Sequence, residues 1–278
     1  METEHRKKRK NQKVKKIILA VLTAVFAAVF IFSAYKVIRG VREYAKGREV
    51  YNSLASQVVV FRDVGSTSGS DGRHESGGED SSAEPVELAP IIVDFEKLAA
   101  QNKDVVGWLY CEGTPVNYPV LQSTDNDYYL RRMINREYNI VGSVFMDYRS
   151  APDLSSLNTI IYGHNMNDDS MFGTFTNYAD QSYYEAHPVI WYLTPEKDYK
   201  IELIAGYVTD ASNEAAYRVY NDADALARHI ESSMGGSDFV SGVDAGSVDR
   251  IITLSTCSYA FSTARYILIG ALQPVPKE

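Results

Sequence analysis

The sequence predicts a mainly β domain, a barrel with helical insertions, joined to a membrane-spanning helix. Three observations support this prediction. Eight short runs rich in Val, Ile, Tyr and Thr, separated by turn residues, fill the C-terminal part of the chain. A 19-residue stretch without a charged side chain lies near the N-terminus. With 278 residues, 45% of them hydrophobic, the chain is long enough for a sizeable core and too apolar for global disorder.

Charge is divided unevenly along the chain. Residues 1–16 hold eight Lys and Arg against two Glu, whereas the remainder holds 20 Lys and Arg against 34 Asp and Glu. An acidic body repels phosphates, so we expect the bulk of the protein to bind no nucleic acid. Two cysteines exclude a disulfide-rich scaffold and a four-thiolate metal site.

The charge-free stretch, IILAVLTAVFAAVFIFSAY at residues 17–35, nearly crosses a hydrocarbon core of about 30 Å as a helix. Lys and Arg cluster before it, which predicts a cytoplasmic N-terminus and an exported body in a single-pass protein of the cell membrane. The stretch is too long for a cleaved signal peptide, and no convincing small-x-small cleavage site closes it. We predict a basic cytoplasmic tail at residues 1–16 and an uncleaved transmembrane signal anchor at residues 17–38.

Residues 39–90 are predicted to form a juxtamembrane segment and a flexible linker. Within them, residues 65–84 hold six Ser, five Gly and five acidic residues, which bury too little surface to offset the entropy of ordering. His74 lies in this linker and His5 in the basic tail, so neither is a credible catalytic base. We expect the folded domain at residues 91–278.

The domain opens with an amphipathic stretch, DFEKLAAQNKDVVGW, in which Phe95, Leu98 and Val105 can share one face of a helix. The β-type runs then follow as VGWLY, PVNYPVLQ, SVFMD, NTIIYG, VIWYL, YKIELIAGYV, RIITLST and RYILIGAL. Eight strands in about 190 residues fit a closed barrel or a sandwich, and we favour the barrel.

One helix, NDADALARHIESSM, interrupts the later strands. Asn221 or Asp222 can cap its N-terminus, and Gly235 and Gly236 stop it. His229 lies on this helix beside charged residues, so we predict that it faces solvent.

Cys257 ends the apolar run IITLSTC, and Arg265 opens the next strand eight residues later. Two antiparallel strands joined by the intervening loop would bring the two side chains close together at one end of the sheet. A neighbouring guanidinium favours the thiolate and can donate to an oxyanion. The alternative is a buried, inert cysteine, as most free cysteines are.

His164 follows the strand run NTIIYG and precedes a polar stretch, so it also lies at a strand end. An imidazole with a pKa near ~6.5 can carry a proton in either direction at neutral pH. Spacing alone cannot show that His164 and Cys257 meet. His187, flanked by tyrosines, is interpreted as a loop histidine hydrogen-bonded to backbone, and Cys111 as a packing residue.

Several segments in order resemble the class B sortases. They are GTPVNYPVLQ, DNDYYL, GSVFMD, NTIIYGHNMNDDSMFGTF, and TLSTC with Arg265 eight residues later. The resemblance covers residues 91–278 nearly end to end. It implies a membrane-anchored cysteine transpeptidase on the outer face of a Gram-positive bacterium. It also implies an eight-stranded β-barrel with N-terminal helices and an extra helix before the cysteine strand, where the helix predicted at 221–234 falls.

The resemblance assigns Cys257 as nucleophile, His164 as general acid and base, and Arg265 as oxyanion and substrate clamp. The implied partners are exported proteins with a C-terminal Pro- and Thr-containing sorting motif, which the enzyme cleaves through a thioacyl intermediate. The implied acceptor is an amine of peptidoglycan, although a pilin lysine stays open.

Asn126, Leu130 and Ser255 match family positions that line the sorting-motif groove. Simpler roles are available to each: Asn126 could cap the helix begun by DNDYYL, Leu130 could be core, and Ser255 could alternate along its strand. Ser258 and Tyr259 stand where some class B members carry acidic side chains, which bears on substrate preference.

No cofactor or metal is expected. Asp168 and Asp169 lie close to His164, but their spacing is not that of a calcium loop, so a solvated turn is the simpler interpretation. The competing hypotheses are an L,D-transpeptidase, a hydrolytic cysteine peptidase, and a non-catalytic surface-binding module on a tether. The first places a His close before its Cys, where this chain has Ser255 and Thr256.

Overall fold

A computed structural model describes residues 2–62, 87–258, 260 and 262–277, with side chains from Lys15 onward. Most of the predicted linker, its His74 and the Tyr259 position lie outside the described residues, as does the His5 side chain. The chain divides into two compact units, Met1–Lys46 and Gly47–Glu278.

The first unit is formed by helix α1, which runs over Glu2–Val58 and so continues into the second unit. The apolar side chains between Ile17 and Phe32 are exposed. Within the described part of the chain, this helix alone is long and apolar enough to cross a membrane. An exposed apolar surface of this length is costly in water, which agrees with the predicted anchor.

The second unit begins earlier than the sequence predicted. Tyr51, Leu54 and Val58, on the last turns of α1, are each at most 3% exposed. The Tyr51 hydroxyl donates to the Gly142 carbonyl at 2.7 Å. Strand β1 (Val59–Phe61) then pairs antiparallel with β2 (Ile91–Val93). Residues 47–61 therefore belong to the domain by their contacts, because the 51, 54 and 58 positions form one apolar helix face.

The centre of the second unit is a closed barrel of eight strands, in the order β10-β8-β7-β3-β4-β5-β6-β9. The pairs β4–β5 and β6–β9 are parallel, and the other neighbouring pairs are antiparallel. The strands are β3 (Val105–Tyr110), β4 (Asn117–Gln122), β5 (Val144–Met146), β6 (Asn158–Tyr162), β7 (Val189–Leu193), β8 (Asp198–Asp210), β9 (Ile251–Cys257) and β10 (Ala264–Val275). All eight predicted strands are confirmed, and closure excludes the sandwich.

The helix at the start of the domain is shorter than predicted. Helix α2 spans Phe95–Gln101, with the Asp94 side chain accepting from the Lys97 N–H at its N-terminus. Asn102 ends it in extended conformation, and Val105 opens β3 instead of joining the helix face. A short helix α3 (Gln181–Ala186) and three 3₁₀ turns, Tyr129–Arg131, Gly173–Ala179 and Ala245–Ser247, complete the described elements.

Helix α4 (Ala223–Gly235) is the predicted insertion before β9, and Asp222 is its N-cap. Its Leu226 and Ile230 pack with Ile204 and Ile267 of the barrel. The prediction that His229 faces solvent is wrong: His229 is 9% exposed and stacks on Tyr220 at 5.3 Å. Positions 226, 229, 230 and 233 form one helical stripe, so the charged neighbours of His229 lie on the other face.

Candidate active site

Cys257 and Arg265 face each other across two paired strands. The β9–β10 register joins Cys257 directly to Arg265, as the loop length between them predicted. The Cys257 thiol is free and half-buried. The hydrogen bond from the Ser258 N–H to the Ala264 carbonyl, 2.9 Å long, continues the pairing one residue beyond the thiol.

His164 reaches the same edge because β6 and β9 are parallel. Tyr162, the last residue of β6, is paired with Ser255, and the Gly163 N–H donates to the Ser255 carbonyl at 3.1 Å. The Asn165 side chain donates to the Cys257 carbonyl at 2.8 Å. Parallel neighbours end at the same edge of a sheet, which is the link between His164 and Cys257 that spacing could not supply.

A cavity of about 290 Å³ opens at this edge. All six predicted site residues line it: Asn126, Leu130, His164, Ser255, Cys257 and Arg265. Its wall is completed by Phe145, Tyr162, Gly163, Ala211, Tyr217 and Thr256. The cavity thus joins a thiol, an imidazole and a guanidinium to an aromatic wall, which suits a peptide with apolar and polar side chains.

The His164 imidazole contacts the backbone across the cavity. Its Nε2 lies 2.7 Å from the Leu130 carbonyl oxygen and must carry the proton of that hydrogen bond, since a carbonyl only accepts. Burial lowers the pKa of His164; the Leu130 hydrogen bond opposes this shift, and the positive charge of Arg131 adds to it. The net result is a pKa below the ordinary 6.5, so the neutral imidazole predominates at neutral pH.

The Arg265 guanidinium is held by its own strand. Its Nη1 donates to the Ala264 carbonyl at 3.0 Å and to the Thr263 carbonyl at 3.4 Å. Backbone acceptors fix the position of the group without neutralising its charge. Arg265 therefore places its positive charge at the cavity that contains Cys257, and the Asp210 carboxylate is near enough to interact with that charge.

The three predicted groove residues differ in their surroundings. Leu130 is 37% exposed, which excludes the core role. Ser255 is buried, and its hydroxyl lies 3.0 Å from the Tyr217 hydroxyl. Asn126 caps no helix: just before the 3₁₀ turn, it is the Asp125 carboxylate that accepts from the Asp127 and Tyr128 N–H groups. The Asn126 amide turns instead to Asp147 and to the Tyr148 N–H.

Sequence reasoning missed the aromatic wall and the charged pair behind it. Tyr162 and Tyr217 stack at 6.1 Å between ring centres, and both line the cavity. Asp147, fully buried, pairs with Arg149. The available signal was an Asp placed directly after an apolar strand in SVFMDYR, because a buried carboxylate requires a dedicated partner.

The other cysteine, histidine and aspartate singled out in the sequence make contacts that stabilise the fold. Cys111 is 1% exposed and its Sγ lies 3.8 Å from the Tyr178 hydroxyl, so its interpretation as a packing residue is confirmed. Burial raises the pKa of its thiol. The His187 Nδ1 lies 3.0 Å from the Glu112 carbonyl, as expected of a loop histidine. Asp168 bonds Ser170 and pairs with Arg48.

Comparison with known proteins identifies the family. Residues 109–273 match the family described as Sortase domain. Sortase B of Listeria monocytogenes is 33% identical over 264 residues, covering 94% of this chain and 98% of that protein.

Solved structures agree with the sequence match. A Staphylococcus aureus sortase B–substrate complex superposes with a TM-score of 0.61 at 34% identity, covering 66% of this chain and 85% of that one. Sortase B from Bacillus anthracis in complex with AAEK1 gives 0.65 at 28% identity, covering 84% and 99%. The chain therefore belongs to the sortase family. Its relatives are sortases B, so it is a class B cysteine transpeptidase with the eight-stranded barrel of that class.

Proposed function

We propose that the chain cleaves a sorting motif through a thioacyl intermediate on Cys257. The observation that supports this proposal is the convergence of Cys257, His164 and Arg265 on one cavity. The His164 imidazole takes the proton of the Cys257 thiol, and the resulting thiolate attacks the carbonyl carbon after the Thr of a Pro- and Thr-containing motif. The His164 imidazolium gives that proton to the departing amine, the peptide C–N bond breaks, and a thioester remains on Cys257.

The second half-reaction regenerates the thiol group. An acceptor amine attacks the thioester carbon while His164 takes its proton, and the C–S bond breaks to release the Cys257 thiolate and a new amide. The proton on His164 then returns to the thiolate. Arg265 donates to the oxyanion that forms in both halves. The number of amide bonds is conserved, so the transfer needs no nucleotide.

The substrate is proposed to be an exported protein with a C-terminal sorting motif, bound along Asn126, Leu130 and Ser255. The cavity is a groove of peptide-binding size with an aromatic wall. The S. aureus structure that the chain resembles is named as a substrate complex, which supports substrate binding by the same kind of barrel. The proposed acceptor is a peptidoglycan amine, as the resemblance to class B sortases implies.

The apolar helix α1 is proposed to anchor the protein in the cell membrane once, with the N-terminus in the cytoplasm and the barrel outside. The basic tail before the apolar run supports this orientation. Protease added to intact protoplasts should digest the barrel while a tag on the N-terminus survives. Loss of the tag with retention of the barrel would reverse the proposed orientation.

The test of the reaction uses the full chain in detergent with fluorogenic peptides that carry N-P-x-T-x motifs. Cleavage is measured for the wild type, Cys257→Ala and, as a matched loss of a thiol elsewhere, Cys111→Ala. We expect Cys257→Ala to abolish cleavage and Cys111→Ala to retain it. When an amine bearing glycine or diaminopimelate is added, we expect a ligated product by mass spectrometry. Cleavage without ligation to any amine would indicate a hydrolytic peptidase, and cleavage by Cys257→Ala would refute the proposed nucleophile.

A further inference from the structure

Asp147 is a buried carboxylate that the proposed reaction does not use. It follows strand β5 and has no solvent exposure. Five hydrogen bonds converge on its two oxygens. Oδ1 accepts from the Arg149 N–H at 2.8 Å and Nε at 2.9 Å, and Oδ2 accepts from Arg149 Nη2 at 2.8 Å, the Tyr162 hydroxyl at 2.9 Å and Asn126 Nδ2 at 3.0 Å.

These bonds keep the group ionised inside the protein. Burial by itself raises the pKa of Asp147, but the hydrogen bonds from Arg149, Tyr162 and Asn126 outweigh it and hold the pKa below the ordinary value. An ionised carboxylate accepts hydrogen bonds and donates none. Any amide group beside it must therefore present its NH₂ end.

Asn126 is constrained from both sides. Its Nδ2 donates to Asp147 Oδ2, and its Oδ1 accepts from the Tyr148 N–H at 3.1 Å. Rotating the amide by half a turn would set oxygen against the carboxylate and NH₂ against an N–H. One N–H and one lone pair of Asn126 are left over at fixed positions in a residue that lines the cavity.

The same carboxylate is connected to the aromatic wall. The Tyr162 hydroxyl donates to it, and Arg149 Nη2 extends to the Tyr217 carbonyl at 3.3 Å. Tyr162 and Tyr217 both line the cavity. Asp147 thus connects three wall residues without lining the cavity itself.

We propose that Asp147 is a positioning residue that orients the Asn126 amide, and with it one wall of the substrate cavity, for the peptide. The inference rests on the proposed function, in which Asn126 contacts the sorting motif. Asp147 touches no reacting atom. Its effect is therefore expected on the binding of the peptide and not on the chemistry at Cys257.

The first experiment measures kcat and KM for an N-P-x-T-x peptide with the full chain in detergent. The variants are Asp147→Asn, Asn126→Ala, the double variant and Asp153→Asn, which removes the same charge from an exposed position. Asp147→Asn has the same shape but both accepts and donates, so position 147 no longer fixes the orientation of the Asn126 amide, which then depends on the Tyr148 N–H alone. We expect its KM to rise about tenfold, with kcat changed far less, and Asp153→Asn to match the wild type.

The double variant separates positioning from general structure. If Asp147 acts through Asn126, adding Asp147→Asn to Asn126→Ala produces little further loss, whereas independent effects would multiply. Multiplying effects, or a KM for Asp147→Asn equal to that of the wild type, would overturn the proposal. If Asp147→Asn does not fold by circular dichroism, Arg149→Lys replaces it: a smaller rise in KM that vanishes in the Asn126→Ala background is expected, and an unchanged KM refutes the proposal.

A second experiment does not depend on activity. In protein labelled with ¹⁵N-asparagine, the side-chain amide signals of Asn126 are those lost in Asn126→Ala. We expect the Asn126 amide proton that is hydrogen-bonded to the Asp147 carboxylate to resonate downfield of an ordinary asparagine side-chain amide in the wild type, and to move upfield in Asp147→Asn. Unchanged signals would overturn the positioning role, whereas a wild type that cleaves no peptide through Cys257 would overturn the proposed function alone.

Discussion

At the residue scale, the cavity combines groups whose properties are set by immediate neighbours. The Arg265 guanidinium donates to the backbone carbonyls of Thr263 and Ala264, whereas the Arg149 guanidinium forms an ion pair with the Asp147 carboxylate. The two arginines therefore have different uses. Only Arg265 is opposite Cys257 in the strand register.

Replacing Arg265 tests this difference. We expect Arg265→Gln to lower kcat/KM for peptide cleavage by about 100-fold or more, because a donor to the oxyanion is lost. Arg265→Lys should recover only part of the activity, since a single ammonium cannot reproduce the guanidinium fork. Arg228→Gln, at an exposed position of α4, serves as the matched control. Activity of Arg265→Gln within twofold of that control would remove Arg265 from the mechanism.

The protonation of His164 is a second prediction at this scale. Burial lowers its pKa, so the Cε1 proton signal of His164 should titrate with a midpoint below 6.5. Arg131→Gln removes a positive charge that also lowers this pKa, so the midpoint should move upward. Proton NMR measures both, with the signal assigned by its loss in His164→Asn. A midpoint above 6.5 in the wild type would contradict the buried, neutral imidazole.

At the element scale, the inserted helix α4 packs against the barrel through one face. Its stripe at 226, 229, 230 and 233 packs on β8 and β10, and this stripe includes a histidine. His229 Nε2 has no hydrogen-bond partner among the described residues. Burial lowers the pKa of His229, so the neutral form is the one that the fold accommodates.

Acid should therefore loosen α4. Because the folded-state pKa of His229 lies below the unfolded value, its contribution to stability is full above about pH 6.5 and is lost as the pH falls toward the folded-state pKa. His229→Phe keeps the ring on Tyr220 and removes the titration. We expect it to raise Tm at about pH 5.5 by about 2–4 °C per kcal/mol regained, and to flatten the pH dependence of Tm.

The measurement is thermal unfolding by circular dichroism from about pH 7.5 to about pH 5.5. The wild type is the reference for His229→Phe. His187→Phe is not used as a control, because it would also remove the hydrogen bond between His187 Nδ1 and a backbone carbonyl. Parallel pH profiles for the wild type and His229→Phe would show that His229 does not titrate in this range.

At the scale of the whole molecule, the end of α1 is part of the barrel unit. Gly47 approaches Val141 so closely that a Cβ there would lie 2.8 Å from a Val141 methyl carbon. Tyr51 bonds Gly142, and Arg48 pairs with Asp168 at 3.0 Å, four residues after His164. The compact unit therefore extends N-terminal to the boundary that the sequence predicted.

Truncation tests this boundary. We expect residues 47–278 to fold and retain peptide cleavage. Residues 87–278 lack Tyr51, Leu54 and Val58, whose burial contributes about 4 kcal/mol or more, so Tm should fall by about 10 °C. Thermal unfolding of the two fragments decides the matter. Equal Tm values would restore the domain start near Ile91.

Local patterns in the sequence were sufficient for much of this protein. Alternation and β-branched runs predicted all eight strands, and the spacing of Cys257 and Arg265 predicted their pairing. The charge-free run predicted the apolar part of α1. These features depend on residues that are near in sequence, or on one hairpin. They can therefore be predicted from the local sequence.

Tertiary structure alone decided the rest. The parallel β6–β9 pairing set His164 beside the cysteine strand, and the packing of α4 against β8 and β10 buried the stripe that contains His229. Asp147 gained its role from Asn126, Tyr162 and Arg149, of which only Arg149 is close in sequence. Such contacts join residues 15, 21 or, between β6 and β9, about 90 positions apart, and their energy depends on burial and hydrogen-bond geometry that no single segment encodes.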